Sequence, residues 1–209
     1  MRKICGGLCM ALGAVLLAGA LALFLWNQQE ADRAEQASVA VLPLLSEVIA
    51  ERTEQEPTAP VIQPGTPPEL IPPERLQMTE VEIDGYAYIG YLSVPSQGLE
   101  LPVMSRWDYP RLKIAPCRYS GTVMEDNLVL VAHNYRRHFG PLRQLRPGDE
   151  VLLTDMDGNL IVYQVAAMDV VPPSSTEEVT GGLFDLALVT CTYGGKTRLV
   201  VYCDRYIPA

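Results

Sequence analysis

The chain has 209 residues, enough for one globular domain of ordinary size with attachments. Its formal net charge of −9 argues against a nucleic-acid partner, because phosphate binding needs clustered Lys and Arg. The only histidines are His133 and His138, and none of the five cysteines form a CxxC pair. The usual zinc patterns are therefore missing, and no metal or other cofactor is expected.

The first element is an apolar run, Ile4 to Trp26, of 23 residues without a charge. A helix needs about 20 such residues to cross a bilayer. Arg2 and Lys3 precede it, which keeps the N-terminus in the cytoplasm and sends the rest of the chain out, and Trp26 stands where an interfacial aromatic would. The competing reading is a signal peptide cleaved at the small residues Ala18–Ala20; the apolar run continues past that point, which favours an uncleaved anchor. Cys5 and Cys9 lie inside this run as apolar filler.

Residues 27–78 hold nine acids against three arginines and read as a solvated acidic stalk. Within it, residues 30–55 favour helix. Val39, Leu42, Leu45 and Ile49 give a weak apolar face, and Pro43 is expected to kink or restart the helix. Residues 56–73 carry seven prolines and no aromatic, the composition of an extended spacer. The chain thus divides into an anchor (1–27), a stalk or linker (28–77) and a β-rich domain (78–209).

In that domain, "YAYIGYLSV" and "LELPVM" read as strands separated by "PSQG", and "DNLVLVAH" as an apolar strand ending at His133. "DEVLLTDMDGNLIVYQVAAMDVV" reads as two strands around the turn Asp157-Gly158-Asn159. Asp155 and Asp157 lack the rest of a calcium loop, so a turn is expected there. "GLFDLALVTC" and "RLVVYCDR" complete the set, with a short helix or turn around Phe139–Leu145. Short strands with turns between them and poor helical periodicity predict an all-β domain, a closed barrel or a sandwich.

The chemistry concentrates where "LALVTC" ends. Gly194 and Gly195 suit a tight turn, so Cys191 and Arg198 face each other across the base of a hairpin loop. A nearby cation favours the reactive thiolate, and an arginine offers several donors to an oxyanion. Proton transfer then needs a histidine. His133, at the end of a strand, is preferred to His138, which reads as part of a solvated basic loop in "YRRHFG". Cys203 alternates with Leu199 and Val201 onto one apolar face and reads as a buried small hydrophobe. Cys117 is either a buried thiol or a partner for Cys203 in an oxidising compartment.

"LALVTCTYGGKTRLVV" resembles the active-site hairpin of the sortase family, TLxTC followed by Arg, and "LVLVAHN" resembles that family's strand ending in its catalytic histidine. "HFGPLRQLRPGDEV" and "IGYLSVPSQGLELPVM" are similar to neighbouring family segments. The resemblance spans Tyr86 to Arg205. It implies an eight-stranded β-barrel with short helices behind a transmembrane helix, and a cysteine transpeptidase with His133, Cys191 and Arg198 as its catalytic residues. Asn134 and Thr190, beside the histidine and the cysteine, become substrate-binding candidates. The implied reaction cleaves an LPxTG-like sorting signal of an exported protein and passes the acyl group to an amine of peptidoglycan or pilin, outside a Gram-positive type of cytoplasmic membrane. Ala187 stands at the first Thr of TLxTC and Ala132 at the Gly before His, departures that bear on subclass (B- or D-like) more than on activity.

Two enzymatic rivals fit less well. An L,D-transpeptidase places its histidine just before the nucleophile, whereas His133 and Cys191 are 58 residues apart. A papain-like peptidase has the cysteine first. The non-enzymatic alternative is a membrane-tethered β-barrel that binds wall polymer or protein, with Cys191 and Arg198 as ordinary strand-end residues.

Overall fold

The computed structural model describes residues 2–55 and 77–206, so the Pro-rich spacer expected at 56–73 lies outside the described residues. One helix, α1 (Arg2–Gln55), precedes nine strands: β1 (Val81–Ile83), β2 (Tyr86–Val94), β3 (Leu99–Met104), β4 (Cys117–Ser120), β5 (Leu128–Val131), β6 (Glu150–Asp155), β7 (Leu160–Val171), β8 (Leu186–Cys191) and β9 (Arg198–Arg205). Two short helices, α2 (Tyr109–Leu112) and α3 (Thr176–Thr180), sit in connections, and a 3-10 turn covers Gly140–Gln144 within the stretch expected to turn.

The strand order is β1-β2-β3-β4-β5-β8-β9-β7-β6, and β6 pairs back onto β2. Strands β2 to β9 therefore form a closed eight-stranded barrel, with β1 as an extra edge strand on β2. Gly90 makes the closure possible. The edge of β2 that pairs with β1 through Tyr86–Tyr88 pairs with β6 from Gly90 onward. A Cβ on Gly90 would lie 2.0 Å from the Thr154 carbonyl oxygen, and its φ of +140° suits glycine alone.

Strands β1 and β4 were not anticipated. The signal for β1 was present as Asp84-Gly85, both at positive φ, the turn that joins two strands of a tight hairpin. At Asp157-Gly158-Asn159 the hairpin forms as expected. Asp155 accepts hydrogen bonds from the backbone of Asp157 and Asn159 at 3.0 and 2.9 Å and from the Asn159 amide at 3.0 Å, so its carboxylate organises a turn.

Alternation of side chains divides the packing. Leu128, Leu130, Leu186, Leu188, Val201 and Cys203 point into the barrel, around Phe139, Leu142 and Tyr163. Val129, Ala187, Val200 and Tyr202, from the same strands, point outward and form a separate apolar floor. Cys117 belongs to a third cluster between the barrel wall and α1, so a wall of the barrel separates it from Cys203. Both thiols are free and fully buried, and burial pushes each up to about 12.

Helix α1 is continuous through Pro43. That proline is exposed, on the side where water can hydrate the carbonyl it leaves without an N–H partner. The buried stripe is Ala34, Ser38, Val41, Leu45 and Ile49, at spacings of three and four. Val41, Leu45 and Ile49 pack on Tyr88, Met104, Cys117 and Met156 of the barrel wall. Val39, expected on the apolar face, is 60% exposed. Residues 34–53 thus lie along the barrel, held also by Ser38 Oγ donating to the Ile114 carbonyl at 3.1 Å and by ion pairs Glu30–Lys113 (3.2 Å) and Glu35–Arg137 (3.0 Å). From Met10 to Trp26 the helix is apolar and almost entirely exposed, and its length suffices to cross a membrane.

Docking of α1 predicts that Leu45→Ala lowers the stability of the full-length chain by about 2–4 kcal/mol, whereas Val39→Ala changes it by less than about 0.5 kcal/mol. Thermal unfolding in detergent separates the two variants; equal effects would show that the helix does not pack on the barrel through this stripe.

Candidate active site

Three adjoining strands set the site. Strand β8 pairs antiparallel with β9, with Cys191 directly opposite Arg198. Strand β5 pairs parallel with β8, with Val131 opposite Val189, and the Ala132 N–H donates to the Val189 carbonyl at 3.1 Å. Continuing that register two residues brings His133 level with Cys191. Parity then decides the face. Residues 129 and 131, 187 and 189, and 200 and 202 all point outward. His133, Cys191 and Arg198 share that parity, and all three line one groove on the barrel's outer wall.

The groove encloses ≈ 290 Å³. Val129, Val131 and Val189 form its apolar floor, Trp107, Leu112 and Tyr119 border it, and Pro172 to Thr180, including α3, complete its lining. Its size suits a few extended side chains. The segment "RWDYPRLK" supplies part of that border. Here Asp108 caps α2 by accepting from the Arg111 N–H at 2.6 Å and forms an ion pair with the Arg111 guanidinium, while Trp107 and Tyr109 line the groove. An aromatic pair in a polar loop was the signal available for this wall.

The hairpin loop behaves as its glycines imply. Gly194 and Gly195 have φ of +88° and +72°, and the Thr192 N–H donates to the Thr197 carbonyl at 3.1 Å. Arg198 Nη1 donates to the carbonyls of Gly195 and Thr197, each at 3.1 Å, which anchors the guanidinium at the loop's base. Its Nε and Nη2 donors hold no protein partner among the described residues. Cys191 is half-buried, in contrast to Cys117 and Cys203.

The imidazole of His133 is half-buried, stacked on Tyr135 with centroids 4.8 Å apart at 27°. Burial lowers its pKa from the ordinary 6.5, the Lys113 ammonium lowers it further, and Glu30 acts in the opposite direction. The neutral base therefore persists to lower pH than in a free histidine. Asn134 is exposed beside His133, and its Nδ2 donates to the Thr192 carbonyl at 3.4 Å, bridging the histidine segment and the hairpin loop. Thr190 has the opposite parity to Cys191. Its buried hydroxyl donates to the Ala132 carbonyl at 2.9 Å, tying the ends of β5 and β8 beneath the groove.

His138 departs from its expected place in a solvated loop, being fully buried. It packs near Tyr135, with centroids 5.5 Å apart, and neither ring nitrogen has a hydrogen-bond partner among the described residues. Burial lowers its pKa to about 4; His133 lowers it too, and the carbonyls of Ile114 and Ala34 act in the opposite direction. The residues that follow explain the inversion: Phe139 and Leu142 plug the barrel and carry this turn inward.

A family model described as "Sortase domain" matches residues 92–206. Sortase A of Bacillus anthracis is 28% identical over 125 residues, 57% of this chain and 59% of that protein, so the match spans under two thirds of that relative's length. Among solved structures, a sortase D5 transpeptidase from Clostridium perfringens is 17% identical with a TM-score of 0.59, over 82% of this chain and 99% of that one. Sortase C from Clostridium perfringens, solved with the C-terminal cell wall sorting motif, is 21% identical with a TM-score of 0.52, over 86% and 91% of the two chains.

The burial of His138 has a consequence for stability. An unfolded chain binds a proton at this residue below about 6.5, whereas the folded chain resists it until about 4. The unfolded state thus holds more protons in that window, and folding stability falls by an amount on the order of 3 kcal/mol as pH drops through it. His138→Phe removes this protonation from both states, and denaturant titrations between pH 4 and pH 7 should show a correspondingly flatter pH dependence than the parent.

Proposed function

The chain belongs to the sortase family, and on that premise we propose that it is a membrane-anchored cysteine transpeptidase acting on exported proteins. The observation that carries this reading is the convergence of His133, Cys191 and Arg198 on the outward face of three adjoining strand ends, over an apolar groove. The similar sortase C from Clostridium perfringens, solved with a C-terminal cell wall sorting motif, supports a peptide as the groove's occupant.

The chemistry proceeds in two halves. Neutral His133 takes the proton of Cys191 as Sγ attacks the carbonyl carbon of the Thr–Gly bond in an LPxTG-like signal. The oxyanion that forms is held by the free donors of Arg198. Collapse breaks the C–N bond, and His133 returns its proton to the leaving amine, which leaves a thioester on Cys191. An amine of peptidoglycan or a pilin lysine then gives its proton to His133 and attacks the thioester. The new amide forms, and the thiol leaves with that proton. Asn134 meets the substrate beside His133, and Thr190 serves binding by keeping the ends of β5 and β8 in register.

Arg2 and Lys3 precede the apolar part of α1, which favours a cytoplasmic N-terminus with the barrel outside. The rival reading, a tethered barrel that only binds wall polymer or protein, leaves Cys191 without chemistry.

Turnover of LPxTG-like peptides with hydroxylamine as acceptor separates the two readings. Cys191→Ala should lower hydroxamate formation by at least about a thousandfold, while Cys117→Ala and Cys203→Ala stay within about threefold of the parent. Equal loss in Cys203→Ala would displace Cys191 as nucleophile. The depressed pKa of His133 sets the pH dependence. Activity requires its neutral form, so the acid limb of kcat/KM should fall below pH 6.5 and vanish with His133→Ala.

A further inference from the structure

Helix α1 fixes the height of the barrel above the bilayer. It runs without interruption from the apolar segment into the docked segment. Trp26 belongs at the membrane interface, a layer about 6 Å deep on each side of the hydrocarbon. Glu30 follows four residues later, about 6 Å along the axis, and is bound to Lys113. Ala34 and Glu35, about 12 Å along, meet the segment around Arg137 and His138. The other end of the barrel, the turn at Asp157 and Gly158, is reached only at Arg52 and Thr53, about 40 Å along. The membrane-facing end of the barrel is therefore the end that carries His133, whose pKa responds to both Lys113 and Glu30.

The surface at that end differs from the rest of an acidic protein. Residues 106–113 and 133–138 contain Arg106, Arg111, Lys113, Arg136 and Arg137 against one acid, Asp108. Arg111, Lys113 and Arg137 are paired with Asp108, Glu30 and Glu35. Arg106 and Arg136 are exposed and form no ion pair among the described residues. Trp107, next to Arg106 in the chain, and Tyr109 are 41% and 73% exposed, line the groove with His133, and pack edge to face with centroids 6.0 Å apart. Exposed aromatics beside unpaired arginines, at headgroup height, match the chemistry of an anionic lipid surface: the rings suit the interface and the guanidinium groups suit phosphate.

We propose that this end of the barrel rests on the outer leaflet of the membrane that α1 crosses, with Trp107 and Tyr109 among the headgroups, Arg106 and Arg136 on anionic lipid phosphates, and the groove opening along the bilayer surface. The inference rests on α1 being a membrane span. The partner is the phospholipid surface itself, and a peptide reaching Cys191 runs along that surface.

The chain has two tryptophans, so Trp26→Phe makes Trp107 the sole one. The full-length variant is placed in phosphatidylglycerol vesicles containing lipid brominated close to the headgroup. Trp107 emission should fall at least twofold relative to bromine-free vesicles, and Arg106→Glu with Arg136→Glu should weaken the quenching. Seven helix-forming residues inserted after Gln28 raise the barrel by about 10 Å with nearly two whole turns, and should abolish it. Thermal unfolding of each variant verifies the fold. A chain that leaves the vesicles on alkaline washing overturns the membrane span and this inference together. A chain that stays while Trp107 remains unquenched, or whose quenching survives the insertion, overturns this inference and leaves the span intact.

Discussion

The register of β5, β8 and β9 is the constraint on which the site depends. His133 and Cys191 are far apart in sequence, and only the parallel pairing of β5 with β8 brings them level. Arg198 joins them because the β8–β9 hairpin places it directly opposite Cys191. A slip of one residue in either pairing would turn one of these three side chains into the barrel interior. The interior resists such a slip, because Leu128, Leu130, Leu186, Leu188 and Val201 would have to leave a close-packed core. The hydroxyl bond from Thr190 to the Ala132 carbonyl closes the same register at the strand ends, next to His133 and Cys191. The precision of the site is thus inherited from the packing of the barrel.

Helix α1 adds a second layer to this wall. Its stripe from Ala34 to Ile49 covers Tyr88, Met104 and Met156, and its acids meet Lys113 and Arg137 beside the histidine segment. The environment of His133 therefore includes groups supplied by the helix as well as by the barrel. The same helix carries, ahead of its docked part, an apolar segment long enough to cross a membrane. The candidate membrane span and a carboxylate that acts on His133 in this way belong to one element.

The meeting of His133, Cys191 and Arg198 was legible because each sits at the end of an apolar run, a pattern that alternation makes readable. The hairpin at Gly194-Gly195 and the turn at Asp157-Gly158-Asn159 were legible from local turn chemistry. What escaped depended on long-range packing. Strand β4 makes a single bridge to β3 and is held mainly by β5, so "CRYS" carries no signal of its own. The buried stripe of α1 contains Ala34 and Ser38, whose small side chains admit close approach without marking an apolar face. His138 sits in a run of polar and basic residues, and only the inward course of Phe139 and Leu142 shows that it is buried. The groove's aromatic border is assembled from Trp107 and Tyr119, on opposite sides of α2, which no local pattern joins.

The central claim is that Cys191 is the nucleophile of an acyl transfer. Intact-protein mass spectrometry of the full-length chain, incubated with LPxTG-like peptides and no acceptor amine, tests it most directly. The account predicts a mass increase equal to the acyl part of the peptide, mapped to Cys191, released by hydroxylamine and absent in Cys191→Ala. No adduct with any such peptide, together with a Cys191 that resists alkylation in the folded protein, would contradict it.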